Sequence, residues 1–112
     1  MSQLTTHILD TTKGRPAAGV TIALFEPSGN DWHEVARGIT NADGRLPNLL
    51  PADKILTTGM YKLKFFTQEY FERDGLTHFY PFVEICFTVA DAAHYHVPLL
   101  LNPFGYSTYR GS

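Results

Sequence analysis

Three histidines and one arginine are the residues of this chain best suited to chemistry at neutral pH. His94 and His96 are two positions apart, so a strand through them projects both imidazoles to one side. An imidazole with a pKa of about 6.5 can accept a proton and later return it. His7 has the same capacity, and Arg45 offers a rigid fork of donors for an oxygen that gains negative charge. Together these residue types allow general acid–base chemistry.

The alternation around the histidines predicts that they point away from the core. His7, His94 and His96 each stand in the phase opposite the better apolar set. That apolar set consists of Leu4, Ile8, Tyr95, Val97, Leu99 and Leu101. Leu9 and Leu100 share the outward faces with the histidines. Such a mixture suggests a surface covered by a ligand or another subunit; the alternative is a solvated sheet face.

A second interpretation of the histidines is a metal site. His7, His94 and His96 could together hold a zinc ion that activates water. Two histidines at this spacing often occur by chance, and no obvious partners for their other ring nitrogens accompany them. His33 and His78 are isolated and are expected on the surface or in loops. The motifs of serine hydrolases, dinucleotide sites, phosphate loops and helical zinc hydrolases are absent.

Two further features do not indicate a function on their own. Arg45 follows Asp43-Gly44 at the end of a polar turn, where a lone arginine is usually a solvated cation. The segment from Tyr106 to Ser112 keeps the character of a strand although chain ends are usually frayed. We therefore treat it as a candidate functional segment. Cys86 stands in mid-strand beside phenylalanines, which predicts a packed thiol rather than a nucleophile.

The elements that must position these residues are mostly strands. Apolar residues alternate with period two between turns at intervals of roughly ten residues. Candidate strands cover residues 4–9, 20–25, 32–39, 60–65, 82–89, 94–101 and 106–110. The expected turns include Pro27-Ser28-Gly29-Asn30, and Thr67 is expected to cap a single helix from Gln68 to Arg73, with Gly75 just past its end. The prediction is an all-β fold, a two-sheet antiparallel β-sandwich of seven to eight strands with one short helix.

Length and composition set further bounds. The 112 residues suffice for one domain, spanning residues 1–112, with a hydrophobic core. A net charge of −2 favours neither nucleic acid nor an anionic membrane as partner. The longest apolar stretch, residues 97–101, is far shorter than the roughly 20 residues that span a bilayer. With one cysteine and no signal-peptide pattern at the start, the expected location is the cytoplasm.

Five segments give the chain a resemblance to a known family. They are Thr6-His7-Ile8-Leu9-Asp10, Gly14-Arg15-Pro16-Ala17-Ala18-Gly19-Val20, Thr40-Asn41-Ala42-Asp43-Gly44-Arg45, His94-Tyr95-His96-Val97-Pro98-Leu99-Leu100 and Tyr109-Arg110-Gly111-Ser112. In this order they resemble the 5-hydroxyisourate hydrolases, transthyretin-related enzymes of urate breakdown. The resemblance covers essentially the whole chain, and the last tetrapeptide separates the hydrolases from transthyretin itself.

The resemblance implies a fold, an assembly and a reaction. The fold is a transthyretin-like sandwich, and the assembly is a homotetramer, a dimer of dimers with active sites at the dimer–dimer interface. The reaction opens the six-membered ring of 5-hydroxyisourate at its N1–C6 bond, giving 5-hydroxy-2-oxo-4-ureido-2,5-dihydro-1H-imidazole-5-carboxylate. No metal or organic cofactor is implied. A transthyretin-like carrier without turnover and a three-histidine zinc hydrolase are the alternatives.

The resemblance also implies roles for individual residues. His7, Arg45, His96 and Tyr109 match positions that contact substrate in the family, and Arg110 and Ser112 belong to its terminal signature. We expect Arg45 to orient the substrate and stabilise negative charge. His7 and His96 then share the proton transfers, one as base and the other as acid or positioning group. Tyr109 supplies a hydroxyl and an aromatic wall, and Ser112 orients a histidine or the water.

Overall fold

The computed structural model describes residues 2–112, and within them the chain forms nine strands and one helix. The strands are β1 (Leu4–Asp10), β2 (Arg15–Pro16), β3 (Thr21–Ser28), β4 (Asp31–Ile39), β5 (Arg45–Leu46), β6 (Gly59–Phe65), β7 (Val83–Val89), β8 (Tyr95–Asn102) and β9 (Gly105–Thr108). The helix α1 (Thr67–Arg73) stands between β6 and β7. No helix in this part of the chain has the length and apolarity needed to cross a bilayer.

The strands form two sheets, which confirms the predicted sandwich. The first sheet has the order β2-β1-β8-β9, with β5 paired to β1, and the second has the order β4-β3-β6-β7. The pairing is antiparallel, as predicted, except at one place, where β1 and β8 run parallel over seven residue pairs. A parallel pair needs a long crossover connection. Here the whole second sheet lies between these two strands along the chain, and it supplies that connection.

The predicted alternation places the core between the sheets. Along β1 every second residue is buried from Leu4 to Asp10, and Thr5, His7 and Leu9 are half-buried on the other face. The largest fully buried side chains come from both sheets and the helix: Phe65, Phe71, Leu4, Ile8, Ile22, Leu24, Leu63, Leu99, Leu101, Val20, Val83 and Val89. His7 therefore lies on the outer face of the first sheet, as its phase in the sequence predicts.

The predicted N-cap of the helix is wrong. The helix begins at Thr67 itself, and the preceding residue, Phe66, makes no side-chain capping hydrogen bond. The Thr67 hydroxyl is buried and has no hydrogen-bond partner within residues 2–112, because the chain enters the helix with Thr67 turned into the core. The predicted end is confirmed. Gly75 has φ of +65°, and its N–H donates to the Glu72 carbonyl in a C-terminal cap.

The expected turn at residues 27–30 begins two residues later, because β3 continues to Ser28. Proline is tolerated at position 27 because β6 pairs with β3 only from Ile22 to Phe25, so on that side no ladder hydrogen bond is lost. The packed environment predicted for Cys86 is also wrong. Its thiol is exposed, because Cys86 shares the outward phase of β7 with Glu84 and Thr88.

Candidate active site

The parallel pairing of β1 with β8 brings two of the predicted histidines together. In this register Thr5 lies beside His96 and His7 lies beside Pro98, all on the outer face of the first sheet. The His7 and His96 rings stack with centroids 6.5 Å apart and planes inclined by 24°. Residues 89 positions apart in the chain thus form one pair of imidazoles. The alternation of the sequence predicts the sheet face on which His7 and His96 lie, but it does not predict that the two residues are neighbours.

Arg45 joins the histidines through the short strand β5. Its backbone pairs with that of His7, and the turn before it is tied by Asn41, whose side-chain oxygen accepts the Arg45 N–H at 3.1 Å. Gly44 sits in this turn with φ of +70°, and a Cβ there would lie 2.6 Å from the Ile8 carbonyl oxygen. Only glycine fits that approach. The motif around Gly44 therefore places a guanidinium beside an imidazole.

A cavity of about 250 Å³ opens at this cluster. Its walls are Thr5, Arg45, Pro47, His94, His96 and Ser112. The predicted residues Arg45, His96 and Ser112 therefore share one cavity, with His7 stacked beside His96. A cavity with one cation, two imidazoles and two hydroxyls suits a small polar substrate whose oxygens accept hydrogen bonds.

The last residues reach the site through an interrupted strand. Strand β9 ends at Thr108, so the expectation of a strand to residue 110 is wrong. Pro98 on β8 has no N–H to donate, and the Thr108 hydroxyl donates to the Pro98 carbonyl at 2.7 Å. Pairing resumes where the Gly111 N–H donates to the His96 carbonyl at 2.8 Å. Proline in β8 thus frees Tyr109 and Arg110 from the ladder.

Tyr109 and Arg110 line a second cavity on the other side of His96. This space of about 310 Å³ is lined by the second half of β7, the start of β8 and residues 108–110, and His96 is shared by both cavities. The Arg110 guanidinium lies 4.5 Å from the centroid of the Tyr95 ring. The Tyr109 side chain is 59% exposed. Within one chain the structure therefore separates Tyr109 and Arg110 from the cavity that holds Arg45 and Ser112.

Burial and the nearby cation favour neutral histidines at this site. Burial lowers the pKa of His7 below its ordinary value of 6.5, and the Arg45 guanidinium lowers it further against a smaller opposing effect of Asp43. The pKa of His96 is lowered by the same two causes and less strongly by His7 and His94, against a smaller opposing effect of a hydrogen bond with the Thr5 backbone. Both imidazoles are therefore neutral at pH 7 and able to accept a proton.

Thr5 also lines this candidate cavity, although its sequence context does not single it out. Its hydroxyl lies 2.8 Å from His96 Nδ1 and 3.0 Å from His94 Nε2. Its presence on the outward face was predictable from the alternation. Its place between the two imidazoles depends on the parallel register, for which the local sequence carries no signal.

The positions of His7, His94 and His96 do not match the geometry of a three-histidine metal site. Within residues 2–112 there is no group of three or more histidine, cysteine, aspartate or glutamate side chains that could hold a metal ion. His94 and His96 stack with centroids 6.4 Å apart, and His94 Nε2 faces the Thr5 hydroxyl. These imidazoles therefore line up along the sheet instead of converging on a point.

The sequence of the chain is similar to one known protein family over nearly its whole length. A family model described as the HIUase/Transthyretin family matches residues 4–111. The 5-hydroxyisourate hydrolase of Mus musculus is 46% identical over 114 residues, which cover 99% of this chain and 96% of the mouse protein. These relatives share the full length of the fold described above.

Solved structures of a hydrolase and of a transthyretin are both similar to this chain. The 5-hydroxyisourate hydrolase of Klebsiella pneumoniae superposes with a TM-score of 0.84 at 39% identity, covering 97% of this chain and 92% of that one. Sea bream transthyretin in complex with thyroxine superposes with a TM-score of 0.90 at 32% identity, covering 98% and 95%. The chain belongs to the HIUase/Transthyretin family.

Proposed function

We propose that this protein is a 5-hydroxyisourate hydrolase that opens the six-membered ring of its substrate at the N1–C6 bond. The observation that carries the proposal is the convergence of Arg45, His96 and Ser112 on one cavity, with His7 stacked against His96. The relatives support the proposal, since the 5-hydroxyisourate hydrolases of mouse and Klebsiella pneumoniae are 46% and 39% identical to the chain.

The proposed reaction is a hydrolysis by general acid–base catalysis. A neutral histidine takes a proton from water as the water oxygen attacks C6, and the C6 carbonyl oxygen becomes an oxyanion. Arg45 donates hydrogen bonds to that oxyanion. The C6–N1 bond then breaks as the protonated imidazole returns its proton to N1, which leaves a carboxylic acid that ionises to the product carboxylate. One water is consumed, and the enzyme returns to its starting state.

The proposal is tested by the decay of freshly generated 5-hydroxyisourate, followed by absorbance in a stopped-flow instrument. The substrate decays on its own, so a protein-free reaction is the baseline. We expect faster decay with protein and formation of the ring-opened carboxylate. A transthyretin-like carrier would bind the compound and leave the rate of ring opening at the baseline or below it.

We propose that the functional assembly is a homotetramer, a dimer of dimers with the sites at the dimer–dimer interface. The outer face that carries His7 and His96 also carries the half-buried Leu9 and Leu100, and the Tyr109 side chain is 59% exposed in one chain. A second chain packed on this face would cover the apolar residues and close the open side of the cavity. Sedimentation equilibrium is expected to give four times the chain mass of 12.6 kDa. A monomer mass at assay concentrations would contradict the assembly.

We also propose a cytoplasmic location. The exposed thiol of Cys86 is stable against oxidation in a reducing compartment. Fractionation of cells with marker enzymes tests the location.

The directions of the histidine pKa shifts predict the acid limb of the pH profile. Because burial and Arg45 lower the pKa of His7 and of His96 below 6.5, both stay neutral until the pH falls beneath that value. Protonation then removes the acceptor that water needs. We expect kcat/KM to be level between about pH 7 and 8 and to reach half of that level below pH 6.5. A half-maximum above pH 6.5 would contradict this electrostatic account.

A further inference from the structure

The Thr5 hydroxyl connects two imidazoles of the outer sheet face. Thr5 stands beside His96 in the parallel register of β1 and β8. Its oxygen lies 2.8 Å from Nδ1 of His96 and 3.0 Å from Nε2 of His94, both within hydrogen-bond distance. His96 lines the cavity, so the nitrogen left for a substrate or water is its Nε2.

A hydroxyl carries one proton, and this makes the two tautomers depend on each other. When Thr5 donates to His94, it can only accept from His96, so His96 must carry its proton on Nδ1. When Thr5 donates to His96 Nδ1, the His96 proton must be on Nε2. The first arrangement leaves Nε2 with a lone pair that can take a proton from water. The second turns Nε2 into a donor.

The charge at the site favours the first arrangement. Arg45, a permanent cation, lines the same cavity as His96. A cation in this cavity interacts more favourably with a lone pair on the cavity-side nitrogen of His96 than with a proton there. We propose that Thr5 and His94 are positioning residues that hold neutral His96 as the Nδ1–H tautomer, so that Nε2 is the proton acceptor in the reaction. The catalytic part of this inference rests on the proposed function, whereas the tautomer itself does not.

The tautomer is measured directly by two-bond ¹⁵N–¹H correlation NMR of the full-length protein at pH 8, without substrate. The spectrum of the His96→Gln variant assigns the His96 signals. We expect a protonated Nδ1 and an unprotonated Nε2 in the native protein. A protonated Nε2 on neutral His96 would overturn the proposal, and this measurement needs no variant at Thr5.

Variants test whether Thr5 and His94 cause the preference. Thr5→Val removes the acceptor of the Nδ1 proton with little change of shape, and His94→Ala leaves the Thr5 hydroxyl free to donate to Nδ1 instead. Although Arg45 remains, each variant is expected to lower the share of the Nδ1–H form and to give a mixture of tautomers. Thr5→Ser keeps the hydroxyl and is expected to keep the native tautomer. Thr58→Val makes the same substitution at an exposed threonine outside the site and serves as the control. An unchanged His96 spectrum in Thr5→Val would overturn the proposal.

Kinetics provide a second readout. Thr5→Val is expected to lower kcat by about 10-fold or more with little change in KM, and Thr5→Ser is expected to restore the rate. Equal losses in Thr5→Val and Thr5→Ser would contradict the positioning role. If the native protein did not hydrolyse 5-hydroxyisourate, the proposed function would fail, while the NMR result would still decide the tautomer.

Discussion

Replacing His7 or His96 with alanine is expected to lower the turnover of 5-hydroxyisourate by about 10²-fold or more. Each imidazole is half-buried beside Arg45, where burial and the cation keep its pKa below 6.5 and leave a neutral base at pH 7. Alanine removes the proton acceptor and leaves water as its only substitute. The stacked geometry, with 6.5 Å between ring centroids, predicts that both rings contribute.

The measurement is kcat and kcat/KM for each variant against the spontaneous decay of the substrate. His33→Ala is the matched control, because His33 is exposed on β4 in the other sheet and is expected to leave the rate unchanged. Circular dichroism checks that each variant is folded. Rates near the native value in both His7→Ala and His96→Ala would remove these residues from the mechanism.

Deletion of residues 109–112 is expected to abolish activity while the sandwich stays folded. Ser112 lines the cavity with Arg45 and His96, and the Gly111 N–H donates to the His96 carbonyl. The deleted residues are exposed or half-buried, and none belongs to the hydrophobic core. The unfolding transition of the truncated protein is therefore expected to remain cooperative. Hydrolysis at the native rate by the truncated chain would show that the segment is not part of the site.

A single substitution tests the same segment more sharply. A Cβ at position 111 would lie 2.6 Å from Cδ2 of His96, so Gly111→Ala must displace either the segment or the imidazole. The variant is expected to lose activity in the same direction as the deletion. Gly105→Ala is the control, because its Cβ would come no closer than 3.6 Å to Asn102. Equal activity in both alanine variants would contradict the close packing of Gly111 on His96.

The sequence predicts the faces of the strands better than their neighbours. Period-two alternation along residues 4–9 and 94–101 is enough to place His7 and His96 on an outward face, because side chains of a strand point alternately to its two sides. The alternation does not indicate which strands pair. The parallel register of β1 with β8 pairs residues that lie far apart in the chain, such as Thr5 and His96. The contact between Thr5 and His96 therefore had to be observed.

Very short strands also limit what can be predicted from the sequence. Strand β5 has two residues, too few for a period to show, yet its pairing with β1 places Arg45, which stays exposed, beside His7. At Cys86 the sequence neighbours predict the wrong environment. The nearby phenylalanines predict a packed thiol, whereas the phase of β7 places Cys86 on the exposed side with Glu84. The phase of a strand is a better guide to burial than the character of adjacent residues.

The fold alone does not distinguish a hydrolase from a carrier protein. The superposition on sea bream transthyretin, with a TM-score of 0.90, is as complete as that on the Klebsiella hydrolase, with 0.84. Function depends on residues placed on a shared sandwich. The cluster of His7, His96, Arg45 and Ser112 is what argues for turnover, because a neutral base and a cation at one cavity, with a second imidazole stacked beside that base, suit water attack on a carbonyl.

The most direct test of that argument is the stopped-flow decay of 5-hydroxyisourate with substrate in about hundred-fold excess over protein chains. At this ratio a binding protein can affect only about one substrate molecule in a hundred, whereas an enzyme converts the whole pool. We predict complete conversion with an initial rate proportional to protein concentration and above the spontaneous rate. A decay identical to that of the protein-free reaction at every protein concentration would contradict the assignment of hydrolysis to this site.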